Sequence, residues 1–175
     1  MVDPAVEFSH PVLPDEVPAA GLSIDLIADE AACTGLAARF GLLAVERLEA
    51  HLRIEREGAA SVRVRGRMQA RVQQACVVSL EPVAGDLADE IAVLYRPAGE
   101  AETDQELVDP LSEEDVEFWD GEAIDLGELV AQHLSLSLEP YPRADGVSLE
   151  GTDVAGKAPP GPFDALKALK SDAGP

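Results

Sequence analysis

The residue types that most often carry chemistry in proteins are sparse in this sequence. Its three histidines, His10, His51 and His133, are far apart, and no two of them have the spacing of metal ligands. The sequence contains no P-loop, dinucleotide-binding fingerprint or nucleophile-elbow pattern. The acidic run Glu113-Glu114-Asp115 offers ligands to a divalent cation, but a solvated loop is the commoner structure for such a run. We therefore expect a protein that is not an enzyme and that carries neither a metal nor a cofactor.

Two cysteines are the remaining candidates for nucleophiles or ligands. Cys33 and Cys76 are far apart, and neither has a second cysteine at metal-ligand spacing, which predicts reduced thiols in a cytoplasmic protein. Cys76 precedes Val77 and Val78, and a cysteine in such a setting usually behaves as a small buried hydrophobe. The alternative is a small hydrolase or metal-dependent enzyme. It predicts a pocket that gathers His133, Cys76 and two carboxylates.

The most regular feature is a predicted β-hairpin over residues 48–72. Apolar residues recur there at even positions, and Gly58 lies in a three-residue loop between the two alternating segments. Closing this loop puts Ile54 opposite Val64, so that the even-numbered residues of both strands are buried. The odd-numbered face then carries five guanidinium groups, those of Arg53, Arg63, Arg65, Arg67 and Arg71.

This arginine row has two interpretations. It could contact the phosphates of an RNA, because guanidinium groups that displace counterions supply most of the affinity for nucleic acids. It could equally be a solvated sheet surface that is offset by Glu49, Glu55 and Glu57. Both interpretations stay open on the sequence alone.

The overall charge points to basic partners. The 175 residues include 34 acids against 13 bases, a formal net charge of −21. A polyanion is a poor ligand for nucleic-acid phosphates, so DNA is not expected as a partner and RNA would need a local basic patch. Residues 72–142 contain 18 acids and one base, Arg96, and the acidic segment from Glu81 to Glu139 could shield a basic protein instead.

The elements that must position these residues form an α+β domain. The sequence predicts a mostly antiparallel sheet, with strands at 22–26 and 87–96 beside the hairpin, and two packing helices at 29–40 and 125–134. Asp125 is expected to cap the second helix, with Glu128 completing a capping box.

We expect one domain over residues 1–143, which includes an extended lead-in (1–21) and an acidic loop (97–123). Residues 144–175 are expected to be a flexible Gly/Pro-rich linker with a short amphipathic segment that carries Phe163, Leu166 and Leu169. These three side chains could dock on a partner or pack back on the domain. No signal peptide and no membrane-spanning run is predicted. The sequence does not indicate an oligomeric state.

Four motifs in this order resemble the YceD family, which is named for large ribosomal RNA subunit accumulation. They are Cys76 with Leu80-Glu81-Pro82-Val83, then Ile124-Asp125-Leu126 through Leu129-Val130, then Leu136 and Leu138 before Pro140 and Pro142, and the closing segment 162–170. The resemblance implies a non-enzymatic role in ribosome biogenesis. It implies a ribosomal protein or the large-subunit (23S) ribosomal RNA precursor as the partner.

One departure from the family pattern concerns a zinc site. Many relatives carry Cys-x-x-Cys where this chain has Gln73-Gln74-Ala75-Cys76, and the later cysteine pair of some relatives is absent from 143–146. One thiolate does not make a structural zinc centre, so no metal site is implied for this chain.

Overall fold

A computed structural model of the chain describes residues 6–58, 61–98, 114–119 and 123–147. In chain order the strands are β1 (Pro11–Val12), β2 (Leu22–Ile27), β3 (Ala44–Glu57), β4 (Ser61–Ala75), β5 (Pro82–Pro97), β6 (Asp115–Trp119) and β7 (Ile124–Asp125), and the helices are α1 (Glu30–Phe40) and α2 (Leu126–Leu136). The predicted α+β class, with a mostly antiparallel sheet and two helices, is confirmed. All these elements belong to the compact unit Met1–Ala144. Most of the linker and tail predicted for 144–175 lies outside the described residues.

Five strands form the main sheet, in the order β2-β3-β4-β5-β6. All neighbouring pairs are antiparallel except β5 and β6, which are parallel. The strand β6 lies within the segment that was predicted to be an acidic loop (97–123), so the loop prediction is wrong for these residues. Val116 and Phe118 alternate there with acids, and an alternating segment can pair with a sheet edge even when half of its residues are charged.

The central hairpin has the predicted register. Ile54 pairs with Val64, and Glu57 pairs with Ser61 at the loop. The large apolar residues at even positions of both strands point to one face and are buried there with two alanines; they are Leu48, Ala50, Leu52, Ile54, Val62, Val64, Met68, Ala70 and Val72. A bulge between Val45 and Arg47 shifts this alternation by one residue at the start of β3.

Both helices pack on this buried face, which we call the inner face. Asp29 caps α1 by accepting a hydrogen bond from the N–H of Ala32 at 2.8 Å, and Gly41 ends the helix with φ +66°. Leu36 of α1 and an apolar stripe of α2, which consists of Leu126, Leu129, Val130 and Leu134, join the sheet residues in one core. Within the described part of the chain, no helix has the length and apolar character needed to cross a membrane.

Asp125 joins the start of α2 to the N-terminal lead-in. Its carboxylate accepts hydrogen bonds from Gly127 and Glu128 in the first helical turn, and from the Ser9 hydroxyl and the His10 N–H. Burial alone would raise the pKa of Asp125, but the hydrogen bonds led by that of Ser9 outweigh it and lower the pKa. The predicted cap is therefore confirmed, and it also fixes the lead-in.

One local prediction near this cap is wrong. Glu128 does not turn back to complete a capping box, because its two carboxylate oxygens bind the guanidinium of Arg39 at 2.6 and 2.8 Å. A bidentate ion pair with a guanidinium is stronger than a hydrogen bond from the N–H of the N-cap residue, so the Glu128 carboxylate binds Arg39 instead. The described part of the lead-in contains one strand, Pro11–Val12, which pairs with β7.

Gly66, at the centre of β4, provides a test of this packing. A Cβ at position 66 would overlap the carbonyl oxygen of His51 and lie 2.9 Å from Cα of Leu52, whereas a Cβ at Gly85 in β5 would meet nothing within 4 Å. We expect Gly66→Ala to lower the free energy of unfolding by about 1–3 kcal/mol. Gly85→Ala should leave it equal or raise it by about 0.5 kcal/mol. Urea unfolding of both variants measures the difference, and equal stabilities would contradict the close strand approach.

Candidate functional site

The five arginines of the row lie on the face of the sheet opposite the helices, which we call the outer face. Arg53 belongs to β3 and the other four, Arg63, Arg65, Arg67 and Arg71, belong to β4. They share the outer face because the inward-facing residues of both strands have even numbers. Arg53 and Arg65 are paired directly across the two strands. The structure therefore brings the five arginines of the row together on one face.

Carboxylates from four other places in the chain contact this row. Arg63 and Arg65 both bind the Glu114 carboxylate, with N–O distances of 2.7 and 3.2 Å, and Arg63 also binds Glu57. The hydrogen bond with Glu114 raises the pKa of Arg63, in spite of the opposing effect of burial. One guanidinium of the row is thus held between two acids.

Arg71 is bound in the same way at the other end of the row. It lies 2.7 Å from Asp86 of β5 and 3.0 Å from Glu46, the residue at the bulge of β3. Arg53 lies 3.2 Å from Glu55 and also donates to the carbonyl of Ala20. Of these acids, Glu55 and Glu57 were expected from the sequence.

Arg67 differs from the other four. Within the described residues, no carboxylate oxygen lies within 4.0 Å of its guanidinium group. It pairs across the sheet with His51 on one side and Glu90 on the other. His51 is itself bound through Nδ1 to Asp25 at 2.7 Å.

An open depression of about 830 Å³ lies at this point of the outer face, over Gly66. Its walls include His51, Arg65, Arg67, Glu90 and Glu114. Two guanidinium groups and two carboxylates therefore face the same volume. Such a mixed lining does not make a strongly electropositive surface, because the carboxylates offset the charge that a phosphate would bind.

The first of the four motifs, Cys76 with Leu80-Glu81-Pro82-Val83, connects β4 to the start of β5. The Cys76 N–H donates to the carbonyl of Glu81 at 2.8 Å, and the Leu80 N–H donates to the carbonyl of Cys76 at 2.9 Å, which closes a six-residue turn. Pro82 is the first residue of β5 and pairs with Ala75. Proline is tolerated at the start of a strand because its missing N–H falls outside the ladder.

The Cys76 sulfur is buried inside this turn and accepts several weak hydrogen bonds. Backbone N–H groups of Val78, Ser79 and Ala144 lie 3.4–3.5 Å from Sγ. Hydrogen bonds from the side chain and backbone of Ser79, followed by those of Ala144 and Val78, lower the pKa of Cys76 to about 6. The sequence predicts that Cys76 behaves as an inert buried hydrophobe. The lowered pKa instead describes a thiol that ionises at about pH 6.

Position 73 does not share this environment. Gln73, three positions before Cys76, directs its side-chain amide to Glu46. The residue beside the Cys76 sulfur is Ser79, three positions later. Within the described ranges, no three His, Cys, Asp or Glu side chains are grouped closely enough to hold a metal ion.

His133 and Cys76 have separate partners. His133 of α2 is bound through Nδ1 to Asp89 of β5 at 2.7 Å, a contact that ties the helix to the sheet. The Cys76 sulfur, by contrast, contacts backbone N–H groups of its own turn and of Ala144. The three apolar side chains predicted for docking, Phe163, Leu166 and Leu169, lie outside the described residues.

The titration of the two cysteines tests the geometry of the turn. Burial, and after it the charge of Asp29, raises the pKa of Cys33, so the two thiols should ionise in separate steps, with Cys76 near pH 6. Thiolate absorbance at 240 nm measures both steps. Cys33→Ala should keep the lower step and Cys76→Ser should remove it. A single step above pH 8 in the unaltered protein would contradict the hydrogen bonds to the sulfur.

The same titration has a consequence for stability. A thiol whose pKa is lower in the folded state than in the unfolded chain stabilises the fold in its ionised form. That stabilisation is complete above the pKa of an unfolded cysteine, about 8.5, and is lost as the pH falls through about 6. The free energy of unfolding of the unaltered chain should therefore fall as the pH is lowered from about 8.5 to about 6. That of the Cys76→Ser variant should not show this decrease.

Comparison with known proteins bears on the part of the chain that holds these features. No curated protein and no solved structure matches the chain. A family model described as large ribosomal RNA subunit accumulation protein YceD matches residues 64–170. The match begins in β4 and includes the Cys76 turn, β5 and α2. Because it covers more than half of the sequence, the chain belongs to the YceD family.

Proposed function

We propose that this protein supports the accumulation of large-subunit ribosomal RNA without catalysing a reaction, by binding a basic protein of the large ribosomal subunit in the cytoplasm. Membership of the YceD family links the chain to large ribosomal RNA subunit accumulation. The mode of action and the partner are the proposal. Two unpaired cysteines are consistent with a reducing compartment.

The observation that supports a protein partner is the electrostatic state of the outer face. Four of the five arginines in the row are already bound by carboxylates, and the described residues as a whole contain twice as many acids as arginines. An RNA phosphate would have to compete with these carboxylates for each guanidinium. A basic protein would instead be attracted by the net negative field, which raises its rate of association.

The alternative is direct binding of ribosomal RNA by the row. Arg67, without a carboxylate within reach in the described ranges, and the neighbouring Arg65 are the groups that favour it. The two routes predict opposite effects for the loss of positive charge. Removal of arginines strengthens the field that attracts a basic protein and weakens the contacts that hold RNA.

We therefore expect Arg65→Ala/Arg67→Ala to bind a basic large-subunit ribosomal protein as tightly as the unaltered chain, or roughly threefold more tightly. The control is Arg47→Ala/Arg56→Ala, which removes the same charge from arginines outside the row. Binding is measured with purified large-subunit ribosomal proteins, one at a time, and with a 23S ribosomal RNA transcript. A non-ribosomal protein of equal positive charge shows how much of the binding is unspecific.

The RNA route predicts another result. Arg65→Ala/Arg67→Ala would then lose affinity for the transcript, the salt dependence would become flatter, and the control pair would change neither. That result would overturn the proposal. So would failure of the unaltered protein to bind any large-subunit protein more tightly than the non-ribosomal control.

A further inference from the structure

The turn between β4 and β5 contains an unusual backbone conformation. Leu80 has φ +63°, and within the described residues it is the one non-glycine position with a positive φ. The other positive-φ positions are glycines, namely Gly21, Gly41, Gly58 and Gly146. A side chain with a Cβ is unfavourable in this left-handed region, so a glycine at position 80 would relieve the turn.

The Leu80 side chain does not compensate by packing. It is 76% exposed, and it does not belong to the hydrophobic core. Exposure of a leucine and a left-handed backbone are both unfavourable, and here they occur at one residue. Folding therefore gives no reason for leucine at this position.

Two further apolar side chains are exposed in the two segments that meet at this turn. Val77, in the same turn, is 47% exposed and Tyr141 is 71% exposed. Their segments are joined, because the Val77 N–H donates to the carbonyl of Pro142 at 2.9 Å and the Gln74 side chain donates to the carbonyl of Glu139. We call the three exposed side chains, Val77, Leu80 and Tyr141, the Leu80 patch.

Carboxylates border the Leu80 patch on both segments. Glu81 follows Leu80 directly, and Glu139 lies two residues before Tyr141; both are exposed. Arg143 is the one basic residue in the stretches 76–82 and 139–144. An apolar surface with two acids at its border is complementary to an apolar side chain that is flanked by a cation.

We propose that the Leu80 patch is the docking site for a segment of a basic ribosomal protein in which an apolar side chain is flanked by Lys or Arg. This inference rests on the proposed function and names the surface that carries it. The apolar side chains bury against the partner's apolar residue, while Glu81 and Glu139 bind its cations. The backbone hydrogen bonds that close the turn hold Leu80 in place before the partner arrives, which lowers the entropy lost on binding.

The decisive variant is Leu80→Gly, because it removes the side chain and also suits the left-handed backbone. We expect its melting temperature to be unchanged or higher, while its affinity for the basic large-subunit proteins that bind the unaltered chain falls at least tenfold. The control is Ile27→Thr in β2, which alters a side chain of similar exposure, 73%, away from the patch. This control should bind normally.

Each outcome has a clear meaning. If Leu80→Gly binds as tightly as the unaltered chain, the Leu80 patch is not the docking site, although the proposed function stands. If the unaltered chain binds none of the purified proteins, both proposals fall. A markedly lower melting temperature for Leu80→Gly would assign the side chain to the fold and overturn the inference.

A second measurement does not depend on the stability of the variant. A photo-crosslinking amino acid in place of Val77 should form a covalent product with the same purified ribosomal protein, and one in place of Ile27 should not. Crosslinks to a second copy of the chain, or to the 23S transcript, would instead identify those as the occupants and overturn the proposal. Glu81→Gln/Glu139→Gln should weaken binding by roughly two- to fivefold and reduce its salt dependence.

Discussion

The alternation of side chains along the β3–β4 hairpin is the constraint on which the rest of the structure depends. The strands pair over their whole length, and the apolar residues of each fall on the inner face, where Leu48, Ile54, Val64 and Met68 are almost fully buried. A slip of one residue would bring the arginines into the core and expose the apolar side chains. The cost of burying several guanidinium groups excludes that register. The same alternation therefore fixes both the surface on which the helices pack and the face on which the charges collect.

The outer face shows that a row of like charges is not the same as a charged surface. Each surface ion pair adds little to stability, typically less than about 1 kcal/mol. Its effect on the field outside the protein is larger, because a carboxylate 3 Å from a guanidinium cancels most of its potential at the distance of an approaching partner. Glu114 offsets two arginines, and Glu46 and Asp86 both bind Arg71. What remains at long range is the excess of acid over the whole molecule.

Interactions that depend on local order could be predicted from the sequence, and those that join distant segments could not. The hairpin register follows from alternation and loop length, and the Asp125 cap follows from a residue type at a helix start. Glu114 was placed in a loop, because nothing local shows that its segment will pair in parallel with β5 and reach Arg63. The pairing of Glu128 with Arg39 has the same cause. The left-handed conformation of Leu80 could not be predicted from the sequence, because glycine or asparagine normally occupies such a position.

In the proposed function, the charge of the molecule and the Leu80 patch address two separate requirements of recognition. A net negative field attracts every basic protein, so charge alone accelerates encounters without choosing among them. Choice requires a contact that a wrong partner cannot make, and an apolar side chain that must be buried next to a cation is such a contact. The depression on the outer face is lined by guanidinium groups and carboxylates, whereas the Leu80 patch presents three exposed apolar side chains, two from the Cys76 turn and one from the segment joined to it, with acids at their border. In the proposed docking, the physical basis for selecting one partner lies at the turn between β4 and β5, and the arginine row contributes to the charge balance of the sheet.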